Sequence, residues 1–129
     1  MKTCLIASLA AAGVLLLVNL FVFPLVFGAG VPVPYAGLRA EPQYAWGLVA
    51  LLVTATLLAV ICGRGERTIA AASLTSALAG LLASLPSALH LLSLVEVTPG
   101  SQIAPVLWTA VTWGFAGSTI GAVYGRAAR

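Results

Sequence analysis

The sequence carries very little charge. Of its 129 residues, six are Lys or Arg and three are Glu, and aspartate is absent. Charged residues make up 7% of the chain, whereas they make up about a quarter of a soluble globular domain. The composition therefore excludes a soluble globular domain, and the lack of aspartate leaves few carboxylates for acid–base chemistry.

Residues that bind metals or carry redox chemistry are also scarce. The chain has one histidine, His90, and two cysteines, Cys4 and Cys62, with no CxxC motif. We therefore predict no metal, no cofactor and no catalytic residues. Both cysteines fall at predicted cytoplasmic helix ends, where a reducing compartment disfavours a disulfide. We interpret them as small apolar residues.

Long apolar blocks dominate what is present. Apolar residues make up 61% of the chain, and the mean hydropathy is +1.11. They form four blocks of membrane-spanning length, at about residues 4–27, 44–62, 69–95 and 103–125. The first block is too long for the apolar core of a signal peptide, so we interpret it as a retained span. The sequence predicts an all-α integral membrane protein, a four-helix transmembrane bundle that forms one domain over residues 1–129.

Basic residues are distributed unevenly over the connections. Four spans place both termini on one side, and that side holds Lys2, Arg64, Arg67, Arg126 and Arg129, whereas the other side holds Arg39 alone. Because short cytoplasmic loops are enriched in Lys and Arg, we predict cytoplasmic N and C termini for a multi-pass protein of the cell (plasma) membrane. This placement explains the net charge of +3. We therefore expect the lipid bilayer as a partner and no nucleic-acid partner.

The third block, Ile69–Val95, is a run of 27 residues without a charge. Read as a helix, it has a leucine face formed by Leu74, Leu78, Leu81, Leu85 and Leu92. The opposite face consists of small residues, one proline and the histidine: Ala72, Ser76, Ala79, Ala83, Pro86 and His90. Leucine suits lipid and small residues allow close approach of another helix. We therefore expect this span to be the packing centre of the bundle.

The fourth block contains a track of small residues at four-residue spacing. Gly117, Gly121 and Gly125 form a double GxxxG motif, and Gly114 and Ala110 extend it. Such a track removes side chains from one strip of a helix, so another backbone can approach closely. We expect spans three and four to supply the close contacts of the bundle.

Three polar residues form a candidate polar site. Asn19 lies inside the first span, where an unpaired amide is costly. His90 lies near the predicted outer boundary, six residues before Glu96, and Thr112 lies in the outer half of its span. A pocket open to the outer face, lined by Asn19, His90 and Thr112, is therefore geometrically feasible. Pro24 is expected to kink the end of the first span.

Three functions fit these features. The first is a structural or accessory membrane subunit that packs through spans three and four, in a homo-oligomer or a larger membrane complex. The alternative is an oligomeric small-solute transporter or channel with a polar site around His90, since an ionisable group inside the membrane often marks a pathway. The third is an enzyme or a haem anchor with His90 as one axial ligand. We interpret His90 foremost as a hydrogen-bonded structural residue.

In length and span count the chain is similar to the small multidrug transporters and the small fluoride channels. The first family relies on a carboxylate inside its first span, but residues 4–27 contain neither Asp nor Glu. The second carries a break rich in threonine and phenylalanine in its third span, but Ile69–Val95 contains no phenylalanine. We therefore assign the sequence to neither family.

Overall fold

The computed structural model describes residues 2–22, 25, 44–65, 68–94 and 99–128, with the backbone alone at residues 44–47, 90–94, 99 and 101. Within these residues all regular secondary structure is helical. Helix α1 (Lys2–Leu17) continues into a π-helical segment (Val18–Val22), and α2 (Tyr44–Arg64), α3 (Ile69–Leu94) and α4 (Pro99–Ala127) follow. The all-α prediction is confirmed.

Three of these helices are long and apolar enough to cross a membrane. The qualifying stretches in the described part of the chain are Lys2–Val22, Ile69–Leu89 and Gln102–Ala127. The apolar stretch of α2 that was assessed, Leu48–Arg64, is shorter. Each of the three reaches the length of about 20 residues that a typical bilayer requires. The structure therefore supports the membrane assignment through three helices.

Small side chains are common in the interior of the bundle, and large apolar side chains are common on its surface. Alanine supplies most of the buried apolar residues, as Ala7, Ala55 and Ala116 show, all fully buried. Large apolar side chains lie on the outside, as Leu74 (62% exposed) and Leu82 (74% exposed) do. In water this surface would be unfavourable, whereas in lipid leucine is well solvated and helices associate by close packing of small residues. The exposed apolar belt therefore also indicates a membrane protein.

Helix α4 occupies the centre of the bundle. It contacts α1, α2 and α3, with the most extensive interface against α3. Within its apolar stretch 44% of the residues are buried, against 17% for that of α3. The expectation that the third span is the packing centre is therefore wrong. The reason is that α4 carries small residues on several sides, so that it packs against α3 on one side while Ala116 joins the buried cluster of Ala7 and Ala11 on another.

One end of the bundle gathers the described charges. The Tyr124 hydroxyl of α4 donates a hydrogen bond to the Ala59 carbonyl of α2, so the last turns of these two helices lie together. Gly121 packs against Ile69, which places the start of α3 there too. Helix α1 runs antiparallel to α4 and begins at the same end. We call this end, where the described residues Lys2, Arg64 and Arg126 are all exposed, the basic end.

Hydroxyl groups within the helices bond to their own backbone. Ser8, Thr56 and Ser84 each donate to the carbonyl one turn earlier, at 2.7–2.8 Å. Because no water is available in a bilayer core, such bonds satisfy polar side chains without a partner helix. The Thr68 hydroxyl accepts the amide of Ala71 at 3.2 Å, so it caps the start of α3.

Candidate functional site

The closest helix contact lies between α3 and the glycine track of α4. A Cβ atom added at Gly117 would meet the Ala72 carbonyl oxygen and the Ser76 hydroxyl, and would lie 2.6 Å from the Ser76 Cβ. A Cβ atom added at Gly121 would lie 2.8 Å from the Ile69 Cα. These neighbours are mainly backbone and short side chains that cannot swing away. The two backbones can therefore approach this closely only because positions 117 and 121 carry no side chain.

Gly114, which also belongs to the track, is packed less tightly. At Gly114 an added Cβ atom would meet the Ala77 Cβ and the Ser73 hydroxyl at 3.6 Å, which is ordinary van der Waals contact. The Ser73 hydroxyl also donates to the Gly114 carbonyl at 3.1 Å. Gly125 is half-buried near the end of α4. The tight contacts that the structure describes for this track therefore lie at Gly117 and Gly121.

The buried line on α3 differs from the face expected from the sequence. Ala72 and Ser76 are buried as expected, but Ala79 is half-buried and Ala83 is exposed. Gly80 is buried instead, and an added Cβ atom there would lie 3.0 Å from the Thr109 carbonyl oxygen. The contact line follows four-residue steps, as the ridges of packed helices do, so it drifts away from a 3.6-residue face. Gly80 is the single glycine of the third block, and it was the feature of the sequence that could have indicated this buried line.

A buried polar cluster joins three helices at the basic end. The Cys62 thiol of α2 lies 3.4 Å from the Ser76 hydroxyl and 3.7 Å from the Ala72 carbonyl, both on α3. The Tyr124 hydroxyl donates to the Ala59 carbonyl at 3.1 Å. Cys62 is therefore a buried, hydrogen-bonded thiol between helices, whereas the sequence suggested only a small apolar residue. The reason is that α3 begins directly beside it. Both cysteines are free thiols.

The residues of the predicted polar site have different surroundings. The Trp108 indole donates to the Asn19 side-chain oxygen at 3.3 Å, and the Asn19 side-chain nitrogen donates to the Leu15 carbonyl at 2.8 Å. Thr112, 3% exposed, donates to the Thr109 carbonyl on its own helix. The structure thus pairs Asn19 with Trp108, a partner the sequence did not suggest.

The remaining parts of that prediction lie outside the described residues. These are the side chain of His90 and the position of Pro24. The helix nevertheless changes from α to π geometry before Pro24, because the π segment begins at Val18, one residue before Asn19. Single turns of π-helix are rare and often occur at functional sites. The side-chain amide of Asn19 donates a hydrogen bond to the Leu15 carbonyl at the point where the helix changes from α to π hydrogen bonding.

A shallow groove of about 310 Å³ runs between α3 and α4 on the outer surface of the bundle. Ser73 and Ser118 both donate their hydroxyl hydrogen to the Gly114 carbonyl at 3.1 Å, so their oxygens are left as acceptors. The groove is lined by Ser73, Ala77, Ala110, Val111, Gly114, Phe115 and Ser118. Its lining is mostly small, and it lies along the middle of α4.

The described residues contain no group of three or more His, Cys, Asp and Glu side chains that could hold a metal ion. Comparisons with protein-family models, with curated proteins and with solved structures found no match. The functional interpretation therefore depends on the geometry of the helices alone.

Proposed function

We propose that the chain is a single four-span domain of the cell membrane with both termini in the cytoplasm. Its support is the exposed apolar belt and the grouping of Lys2, Arg64 and Arg126 at one end. Helix α2 has 21 residues, enough to complete a fourth crossing. The basic end then faces the cytoplasm, in accordance with the positive-inside rule.

Within this architecture the chain acts as an accessory subunit that holds a transmembrane helix of a partner protein in the α3–α4 groove. The observation that carries this proposal is the groove itself. The tight glycines Gly117 and Gly121 are already occupied by α3, so they are not open to a partner. The groove, by contrast, presents small residues on the outer surface. Small residues there let a second helix approach closely, and the Ser73 and Ser118 oxygens can accept its hydrogen bonds.

Filling the groove tests this proposal. Ser118 lines the groove and Thr119 does not, yet both hydroxyls donate to a carbonyl one turn earlier at 3.1 Å. Ser118→Leu should therefore release the partner, whereas the matched control Thr119→Leu should retain it. The measurement is the yield of co-purified membrane protein in mild detergent, relative to this chain. Equal yields from both variants, or a wild-type chain without a stoichiometric partner, would contradict the accessory role.

The Asn19–Trp108 pair favours a second candidate function, the passage of a small solute. The pair is exposed, and its Asn19 lies within the π segment, at the end of the bundle opposite the basic end. Polar groups at membrane depth are expensive and often mark a solute pathway. In this function the residues Asn19, His90 and Thr112 contribute to a polar site near the outer face. Purification as a homo-oligomer without other proteins favours this second function.

A further inference from the structure

The basic end of the bundle presents fixed positive charges at its rim. Gly63 lies directly under the Tyr124 ring, and an added Cβ atom there would lie 2.8 Å from the Tyr124 hydroxyl oxygen. This contact places the last turns of α2 and α4 side by side, so Arg64, the next residue of α2, and Arg126, two residues beyond Tyr124 on α4, lie at the same end of the bundle. Both arginines are exposed in the last turns of their helices.

The charge around this end is strongly positive. Together with its neighbouring sequence, the basic end contains five basic residues and one acidic residue, Glu66. In the proposed topology, the connections on the opposite side contain one basic and two acidic residues. The net charge of +3 is therefore the difference between a positive end and a slightly negative one. A ligand of the basic end must be an anion.

An apolar surface begins immediately beside the arginines. Ile61, three residues before Arg64, is 46% exposed, and Ile69 at the start of α3 is 55% exposed. On α1, which begins at the same end, Leu5 and Ile6 are also more than half exposed. The rim thus combines cationic groups with an adjoining apolar wall. A phospholipid has the matching arrangement, with a phosphate above its acyl chains.

We propose that the basic end binds anionic phospholipid, with the guanidinium group of either Arg64 or Arg126 on the phosphate of each bound lipid and the acyl chains along the apolar wall. This inference rests on the membrane-spanning architecture proposed above. Guanidinium groups bind phosphate oxygens through two parallel hydrogen bonds. A soluble anion would use the charge alone and leave the apolar wall without a partner, so the combination favours a lipid.

The test uses the full chain reconstituted in phosphatidylcholine vesicles. Spin-labelled phosphatidylglycerol and spin-labelled phosphatidylcholine are added separately, and electron paramagnetic resonance gives the relative association constant of each lipid with the protein. The wild type should prefer phosphatidylglycerol about fivefold, the factor expected for one basic residue near an anionic lipid surface. The double variant Arg64→Gln/Arg126→Gln should lose this preference. In about 1 M salt, which screens charges beyond about 3 Å, the wild type should lose it as well.

Arg39→Gln is the control for loss of positive charge elsewhere, because Arg39 belongs to the connection predicted at the opposite end. It should leave the preference unchanged. Equal association of both lipids with the wild type, or an equal loss in the Arg39→Gln control, would overturn the proposal. Displacement of the labelled lipid by inorganic phosphate at constant ionic strength would also overturn it, in favour of a soluble anion. Failure of the membrane-spanning architecture would give a different result. A chain that does not span the bilayer would be lost from the vesicles during alkaline extraction, and flotation of the vesicles detects this loss.

Discussion

At the scale of single residues, the α3–α4 interface depends on two glycines, Gly117 and Gly121, which carry no side chain. The sequence presents Gly114, Gly117 and Gly121 as equivalent members of one track. The structure distinguishes them, because the backbone of α3 lies against positions 117 and 121 but further from position 114. The spacing of the glycines predicted a packing face, whereas the depth of contact at each position depends on how the two helices cross.

Gly117→Ala should destabilise the protein, whereas Gly114→Ala should not. The new methyl group at position 117 would collide with the Ala72 carbonyl and with Ser76, and α3 would have to move. Overpacking of this kind costs about 1–3 kcal/mol, whereas a methyl group at position 114 would meet its neighbours at ordinary van der Waals distance and need no movement of α3. The free energy of unfolding in mixed detergent micelles measures both variants. Equal stability of the two would contradict the close approach at Gly117.

At the scale of helices, the sequence predicted where the chain is helical better than it predicted which side of each helix is buried. Long apolar runs lead to helices because a backbone in lipid must satisfy its own hydrogen bonds. The buried line of α3, through Ala72, Ser76 and Gly80, could not be predicted, since the helical period allows several lines and the partner helix selects one. The π segment after Leu17 also has no reliable sequence signal.

Asn19→Leu should loosen the π segment. The substitution removes the hydrogen bond to the Leu15 carbonyl and the one accepted from Trp108. Amide hydrogen exchange should therefore accelerate over Val18–Val22, because opening of this segment no longer breaks those bonds. Trp108→Phe is the control, since it removes the hydrogen bond from α4 to Asn19 but keeps the one from Asn19 to the Leu15 carbonyl, and it should cause a smaller acceleration. Unchanged exchange in Asn19→Leu would show that the amide does not stabilise the segment.

At the scale of the whole molecule, α4 organises the bundle, and the described charges Lys2, Arg64 and Arg126 lie at one end of it. The sequence predicted that these three residues share an end, because this depends only on the order of spans and connections. It did not predict the central helix, because every block is apolar and the number of neighbours of a helix depends on tertiary arrangement. The Asn19–Trp108 and Cys62–Ser76 pairs join residues distant in sequence, and no local pattern predicts such pairs.

The number of membrane crossings is the central claim, and its parity can be measured directly. Three helices meet the length and hydropathy expected of a span, and α2 is proposed as the fourth. With four spans the two termini lie on the same side, whereas with three they lie on opposite sides. Reporter fusions before Lys2 and after Arg129 decide between these arrangements. We expect a cytoplasmic signal from both fusions, and signals from opposite sides of the membrane would contradict the four-span bundle.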